Sequence, residues 1–139
     1  MLMMHDRTDD CVLDSDLSTI RSSEVPVRTA ITLLLVVACL TAAAAKLLAH
    51  PRMQASAAHL GIPWSRYRLV GVAELTAAVG VLAGLAVPAL GVAAALGMTV
   101  LLVIAVAVHR RAGDSPREAA PALMSLGLSV GYLALALSS

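Results

Sequence analysis

Four long apolar stretches, separated by short polar links, dominate the hydrophobic pattern of the chain. Each stretch is 18 to 22 residues long, close to the roughly 20 residues that a helix needs to cross ~30 Å of hydrocarbon. Backbone groups inside hydrocarbon have to be paired within their own segment, and a helix achieves this. The pattern therefore predicts an all-α fold, a four-helix transmembrane bundle with an up-down-up-down course. The predicted helices cover residues 27–48, 69–86, 89–108 and 119–137.

The links between these stretches differ in length and character. The longest, residues 49–68, contains "MQASAAHL", which predicts a short surface helix that ends before Gly61. Trp64 and Tyr67 follow where the chain re-enters the bilayer, as aromatic side chains at headgroup level do. The alternative is that these rings pack against the protein itself. Pro88 breaks the run between the second and third stretches, which makes those two helices antiparallel neighbours.

Composition places the chain in a lipid bilayer. Hydrophobic residues make up 59% of it and charged residues 14%, whereas a soluble domain carries about 25% charged residues. Residues 1–26 differ from the rest, because they are rich in acidic residues and have little periodicity. We therefore expect a disordered acidic N-terminal tail at 1–26 and one transmembrane domain at 27–139.

The distribution of basic residues predicts the orientation in the membrane. Seven basic residues lie in or beside the links 49–68 and 109–118, against three on the other side. Such an excess marks the cytoplasmic side, so we expect a multi-pass membrane protein with links 49–68 and 109–118 in the cytoplasm and both termini outside. A cleaved signal peptide is the rival interpretation of the first stretch. The basic links suit anionic lipid heads and show no sign of nucleic-acid recognition.

Small residues recur at four-residue spacing on two of the predicted helices. Thr76, Gly80 and Gly84 form one stripe, and Gly127 and Gly131 form another. Such stripes allow helix backbones to approach closely in lipid. They predict helix packing, either within one chain or between subunits.

Three ionisable residues fall in one layer of the predicted bundle. Lys46 lies near the end of the first helix, Glu74 about 8 Å into the second, and His109 at the end of the third. An unpaired ion in hydrocarbon costs several kcal/mol, so Glu74 needs a cation or a proton. Three interpretations remain open. The residues form a structural Lys–Glu pair that fixes helix register, or a ligand-binding or proton-handling site, or Lys46 reaches lipid phosphates while Glu74 stays protonated.

Motifs for other chemistry are missing from the sequence. Cys11 and Cys39 form neither a CxxC motif nor a metal-site spacing, and Cys39 reads as a small packing residue. There is no phosphate-binding glycine loop, nucleophile elbow or paired-histidine signature. We predict no catalytic residue, no metal and no cofactor, with quinone as the alternative cofactor.

Residues 27–137 as a whole resemble a known family. The segments "AAAAKLLAHPRM", "LGIPWSRYRLVGVAELTAAVGVLAGL" and "PALGVAAALGMTVLLVIAVAVHRRAGD" are similar to the DoxX-like family of small four-helix bacterial membrane proteins. That family takes its name from a subunit associated with quinol oxidase and thiosulfate:quinone oxidoreductase systems. The resemblance implies a location in the bacterial inner membrane and, from the wider superfamily, a role as a membrane assembly helper or cargo receptor. The acidic tail is an addition to the family pattern, and the paired cysteines of redox-active relatives are missing.

These observations lead to three functional hypotheses. The first is a non-catalytic membrane subunit or assembly partner, which contacts a membrane protein partner or another copy of itself. The second is a quinone-associated redox subunit, in which Glu74 and His109 hydrogen-bond a quinone carbonyl or relay its proton. The third is a small-molecule transporter, which is less favoured because four short helices enclose little volume.

Overall fold

The chain is all-helical in the part that the computed structural model describes, the backbone of residues 7–138 and the side chains of residues 26–138. Its five helices are α1 Arg7–Leu47, α2 Pro51–His59, α3 Trp64–Ala83, α4 Pro88–Arg111 and α5 Ala120–Leu137. Three segments are long and apolar enough to cross a membrane, namely Pro26–Leu47, Pro88–Arg111 and Ala120–Leu137. The prediction of an all-α fold is therefore confirmed, with three described helices that are apolar and long enough to span a membrane.

Apart from the start of α1, most helix boundaries lie close to the predicted ones, and the exception among them is α3. It begins at Trp64, five residues before the predicted start at 69, and ends at Ala83. The apolar run covers only part of α3, because the first turns of the helix expose polar side chains and bury Tyr67. Since α3 carries Arg66, Arg68 and Glu74, it is not among the three apolar spans. The short surface helix predicted in the first link is present as α2.

The N-terminal segment differs from the prediction of a disordered tail at 1–26. Residues 1–6 lie outside the described residues, but α1 already begins at Arg7. Extending a helix from an apolar segment that is already helical needs no new nucleus, so weak periodicity alone does not exclude helix there. The chain divides into two units, Met1–Ala30 and Ile31–Ser139. The core and the site belong to the second unit.

Four helices contribute to one hydrophobic core. Its buried members are Leu35, Val36 and Cys39 of α1, Ala78 and Val81 of α3, Ala95, Met98 and Leu102 of α4, and Tyr132 of α5. A polar contact joins α4 to α5 inside this core, because the Thr99 and Ser129 hydroxyls lie 2.9 Å apart. The Ser129 hydroxyl also donates to the Ala95 carbonyl oxygen at 3.1 Å. Hydroxyl groups bridge helices in this way where no water is present.

Glycines set the close approach of α3 to α4. A Cβ added to Gly80 would lie 2.6 Å from the Ala94 Cβ, and one added to Gly84 would overlap the Gly91 Cα and lie 2.7 Å from the Tyr132 hydroxyl oxygen. The predicted stripe on the second helix thus lies at a helix crossing. Any larger side chain there would force the two backbones apart.

The second predicted stripe, on α5, does not form such a contact. A Cβ added to Gly127 or Gly131 would meet no described atom within 4 Å. The reason is helical geometry: Ser129 faces α4, and residues two positions away lie about 200° around a helix, on the opposite face. Gly127 and Gly131 therefore make no close helix contact within the described part of the chain, and their packing between subunits stays a prediction.

The outside of the helices is apolar. Large exposed side chains lie on every long helix, among them Leu34, Val37, Leu82, Val100, Ile104, Met124 and Val130. An exposed apolar surface of this extent is unfavourable in water. It suits the hydrocarbon of a bilayer, where helix exteriors need only apolar contact.

The α3–α4 crossing predicts different effects for two glycine substitutions. Gly84→Ala should lower the free energy of unfolding by about 1–3 kcal/mol, because its methyl group would overlap Gly91 and Tyr132. Gly127→Ala, the matched control, adds the same group in open space and should be neutral or slightly stabilising. Unfolding in detergent, titrated with sodium dodecyl sulfate and followed by circular dichroism, measures both. Equal stabilities of the two variants would contradict the crossing.

Candidate functional site

A buried ion pair joins α1 to α3. The Lys46 ammonium donates to both carboxylate oxygens of Glu74, at 2.9 Å and 2.7 Å. The two side chains are only 10% and 9% exposed. Lys46 lies in the last turn of α1, whereas Glu74 lies ten residues after the start of α3, or about 15 Å along the helix. The end of α1 therefore meets the middle of α3, and the first turns of α3 extend beyond it.

Small residues bring the two backbones close enough for this pair. Gly71, one turn before Glu74, faces α1, and a Cβ there would lie 3.0 Å from the Lys46 Cβ and 3.4 Å from the Ala43 carbonyl oxygen. On α1, Cys39 and Ala43 lie on the same buried stripe as Lys46. The small residues beside both charges therefore lie on the faces of α1 and α3 that meet.

An aromatic ring completes the surroundings of the ammonium. Lys46 Nζ lies 5.6 Å from the centroid of the Tyr67 ring, within the range of a cation–π interaction. Tyr67 in turn stacks on Trp64 with a centroid distance of 5.9 Å and donates its hydroxyl to the Met53 sulfur at 3.9 Å. Tyr67 thus packs against the protein itself, which was the second of the two predicted positions, and not at the level of the lipid headgroups. Its spacing of seven residues from Glu74 places both on one face of a helix, and that signal was available in the sequence.

His109 lies in a different polar cluster, so the predicted cluster of Lys46, Glu74 and His109 divides into two. The Nδ1 atom of His109 is 2.5 Å from one carboxylate oxygen of Asp114. The Nε2 atom of His59, at the end of α2, is 2.6 Å from the other oxygen. The Asp114 side chain is 4% exposed. We name these three residues the His–Asp–His bridge, because Asp114 ties α2 to the end of α4.

A tight turn after α4 explains why His109 meets Asp114. Gly113 has a φ of +78°, a conformation that favours glycine. This turn directs the Asp114 amide back to the His109 carbonyl oxygen, to which it donates at 3.1 Å. No local sequence pattern predicts the contact between His59 and Asp114, because the two residues are 55 positions apart in the chain. Sequence reasoning therefore missed Asp114 and placed His59 only in a link.

The carboxylate of Asp114 is ionised at neutral pH. The hydrogen bond from His109, and next that from His59, hold the pKa of Asp114 below its ordinary value of 3.8. Because this carboxylate is ionised, each facing ring nitrogen donates its N–H. The bridge stabilises the fold above pH ~4, and this contribution is lost as the pH falls through the lowered pKa of Asp114.

The other carboxylate of the link is also engaged. The Ser115 amide and hydroxyl donate to one oxygen of Glu118 at 2.7 Å and 2.9 Å. These hydrogen bonds, that of the amide first, hold the pKa of Glu118 below its ordinary value of 4.5. Glu118 thus forms hydrogen bonds within its own link, whereas Asp114 contacts His59 of α2.

The other reactive side chains in the described part of the chain are already engaged or buried. Among residues 26–138, no group of three or more histidine, cysteine, aspartate or glutamate side chains is arranged to hold a metal ion. Both oxygens of Glu74 are occupied by Lys46, and His109 is held by Asp114. Cys39 is buried in the core as a free thiol, which matches its predicted packing role.

Removing the bridge should loosen α2. Asp114→Ala leaves His59 and His109 without their shared acceptor, so α2 should open more often and trypsin should cleave after the exposed Arg52 severalfold faster. Glu118→Ala is the matched control, because it removes a carboxylate from the same link without touching α2. Timed digestion in detergent, read by mass spectrometry, measures both rates. If the two variants are cleaved equally fast, the bridge does not hold α2.

The sequence matches one known protein family. The pattern of the DoxX-like family matches residues 30–132, a range that includes both members of the ion pair and the whole His–Asp–His bridge. No curated protein and no solved structure matches the chain. Because the match covers well over half of the sequence, the chain belongs to the DoxX-like family.

Proposed function

We propose that this small membrane protein is a non-catalytic subunit or assembly partner whose Lys46–Glu74 pair fixes α1 against α3. The observation that carries the proposal is that the ammonium satisfies both carboxylate oxygens in a buried setting. Ions that neutralise each other at a helix contact serve conformational specificity. They leave little reactivity for a substrate.

The proposed architecture is the four-helix up-down-up-down bundle, with α3 as the fourth crossing. This helix has 20 residues, which is about 30 Å of rise and enough to span hydrocarbon. Its two arginines lie in the first turns, where they reach the headgroups, and Glu74 is neutralised by Lys46. Its outward side chains are apolar and exposed, namely Leu69, Val72, Leu75, Val79 and Leu82. These features support contact with lipid along its length.

The proposed location is the bacterial inner membrane, with residues 49–68 and 109–118 in the cytoplasm. The arginines of both links are exposed, and an excess of basic residues favours the cytoplasmic side. The proposed partner is another integral membrane protein or a second copy of this chain. The outward-facing small residues of α5 are available to such a neighbour.

The quinone-associated alternative requires these polar groups to change partners. A quinone carbonyl at Lys46 would compete with Glu74 for the ammonium protons, and His109 would have to leave Asp114. The structural proposal needs neither change. A transporter would need an internal path for its solute, and solute flux in liposomes would support that third hypothesis.

A double-mutant cycle tests the structural role of the pair. Lys46→Met or Glu74→Leu alone leaves one buried ion unpaired and should cost about 3–5 kcal/mol of unfolding free energy. The double variant removes both ions and should cost less than either single variant, so the effects should be strongly non-additive. Detergent unfolding of the four proteins gives the coupling free energy.

A second cycle at exposed positions provides the control. Arg52→Met and Glu118→Leu make similar chemical changes at positions that share no contact, and their small effects should add. If the Lys46 and Glu74 effects also add, the pair does not fix the helices. If the double variant is stable but loses a bound quinone, the redox alternative replaces the structural one.

A further inference from the structure

Six exposed arginines lie at one end of the second unit. They are Arg52 of α2, Arg66 and Arg68 of α3, Arg110 and Arg111 of α4, and Arg117 of the last link. We name this set the arginine face. Its members share an end because α3 and α4 form a hairpin joined by residues 84–87, so the start of one helix lies beside the end of the other. The His–Asp–His bridge brings α2 to the same end.

The acidic side chains near this end are already engaged. Asp114 accepts from two histidines, Glu118 from Ser115, and Glu74 from Lys46. The ion pairs among residues 26–138 that involve these carboxylates use lysine and histidine, and none uses an arginine of the face. Two link carboxylates against six arginines leave a formal surplus of four positive charges. The surface is therefore basic and has spare guanidinium donors.

The arginine face also lies at a defined depth. Arg66 and Arg68 are in the first turns of α3, directly before the apolar run that starts at Leu69. Arg110 and Arg111 end α4 immediately after its apolar span. A layer of guanidinium groups at the ends of apolar helices is at the level of lipid phosphates, which arginine binds through paired N–H donors.

We propose that the arginine face binds the anionic headgroups of phospholipids in the adjoining leaflet. Anionic lipids attract basic residues beside a membrane span, and among the described side chains neither Asp114 nor Glu118 forms an ion pair with an arginine of the face. This goes beyond the proposed subunit role, and it does not depend on what the Lys46–Glu74 pair does. It predicts a preference for phosphatidylglycerol over phosphatidylcholine among the lipids that contact the protein.

The only tryptophan of the chain provides the probe. Trp64 is half-buried and lies two residues before Arg66 and four before Arg68 on the same helix. Bromine on an acyl chain close to the glycerol quenches tryptophan fluorescence at short range. The full chain, reconstituted in vesicles, should be quenched more by brominated phosphatidylglycerol than by brominated phosphatidylcholine at equal mole fraction. The preference should shrink in 1 M salt, where the screening length falls to about 3 Å.

Substitutions assign the preference to the face. Arg66→Gln with Arg68→Gln should reduce the relative binding of phosphatidylglycerol by up to about fivefold per arginine. Arg66→Lys with Arg68→Lys keeps the charge and should retain most of the preference. Arg28→Gln lies at the other end of the first span and is the matched control. It should leave the preference for phosphatidylglycerol around Trp64 unchanged. The salt dependence of the wild-type chain provides a test even where a variant fails to fold.

Three results would overturn the proposal. One is equal quenching of the wild-type chain by the two lipids, and another is an equal loss of preference in Arg28→Gln. The third is salt-sensitive binding of poly-L-glutamate without any lipid preference, which would assign the arginine face to an acidic polypeptide instead.

Discussion

The buried pair of Lys46 and Glu74 is the constraint on which the arrangement of α1 and α3 depends. Either ion alone would be costly away from water, and together they are tolerable only where the two backbones approach closely. Gly71 permits that approach, because a Cβ there would press on Lys46 itself. In the proposed role, the pair selects one register of α1 against α3 among those that apolar packing alone would allow.

A second polar contact holds the link end of the bundle. Asp114 joins His59 of α2 to His109 of α4, while Ser129 and Thr99 join α5 to α4 inside the core. Each contact satisfies its polar atoms within the protein and leaves the apolar exterior free for lipid. Because these acids are used internally, the arginines outside them remain available to an external anion. Membership of the DoxX-like family is consistent with a molecule built for contacts inside a membrane.

The sequence predicted what depends on local pattern. Apolar run length located α4 and α5 to within one residue at their starts, and Pro88 marked the α3–α4 hairpin. The spacing does not determine which neighbour a stripe meets: Gly80 and Gly84 contact α4, whereas Gly127 and Gly131 lie on the face of α5 opposite Ser129. His109 was placed by depth alone, and depth does not choose between Glu74 and Asp114. The partner of Asp114 in α2 is set by tertiary packing, which no local pattern encodes.

The most direct test of the central claim is native mass spectrometry of the protein extracted from its own membranes, beside a Glu74→Gln variant. If the ion pair is structural, both proteins should carry the same lipids or the same stoichiometric protein partner. Neither should then carry a mass that fits a quinone. A quinone-sized adduct on the wild-type protein that is lost from Glu74→Gln would contradict the account and place Glu74 in a ligand site.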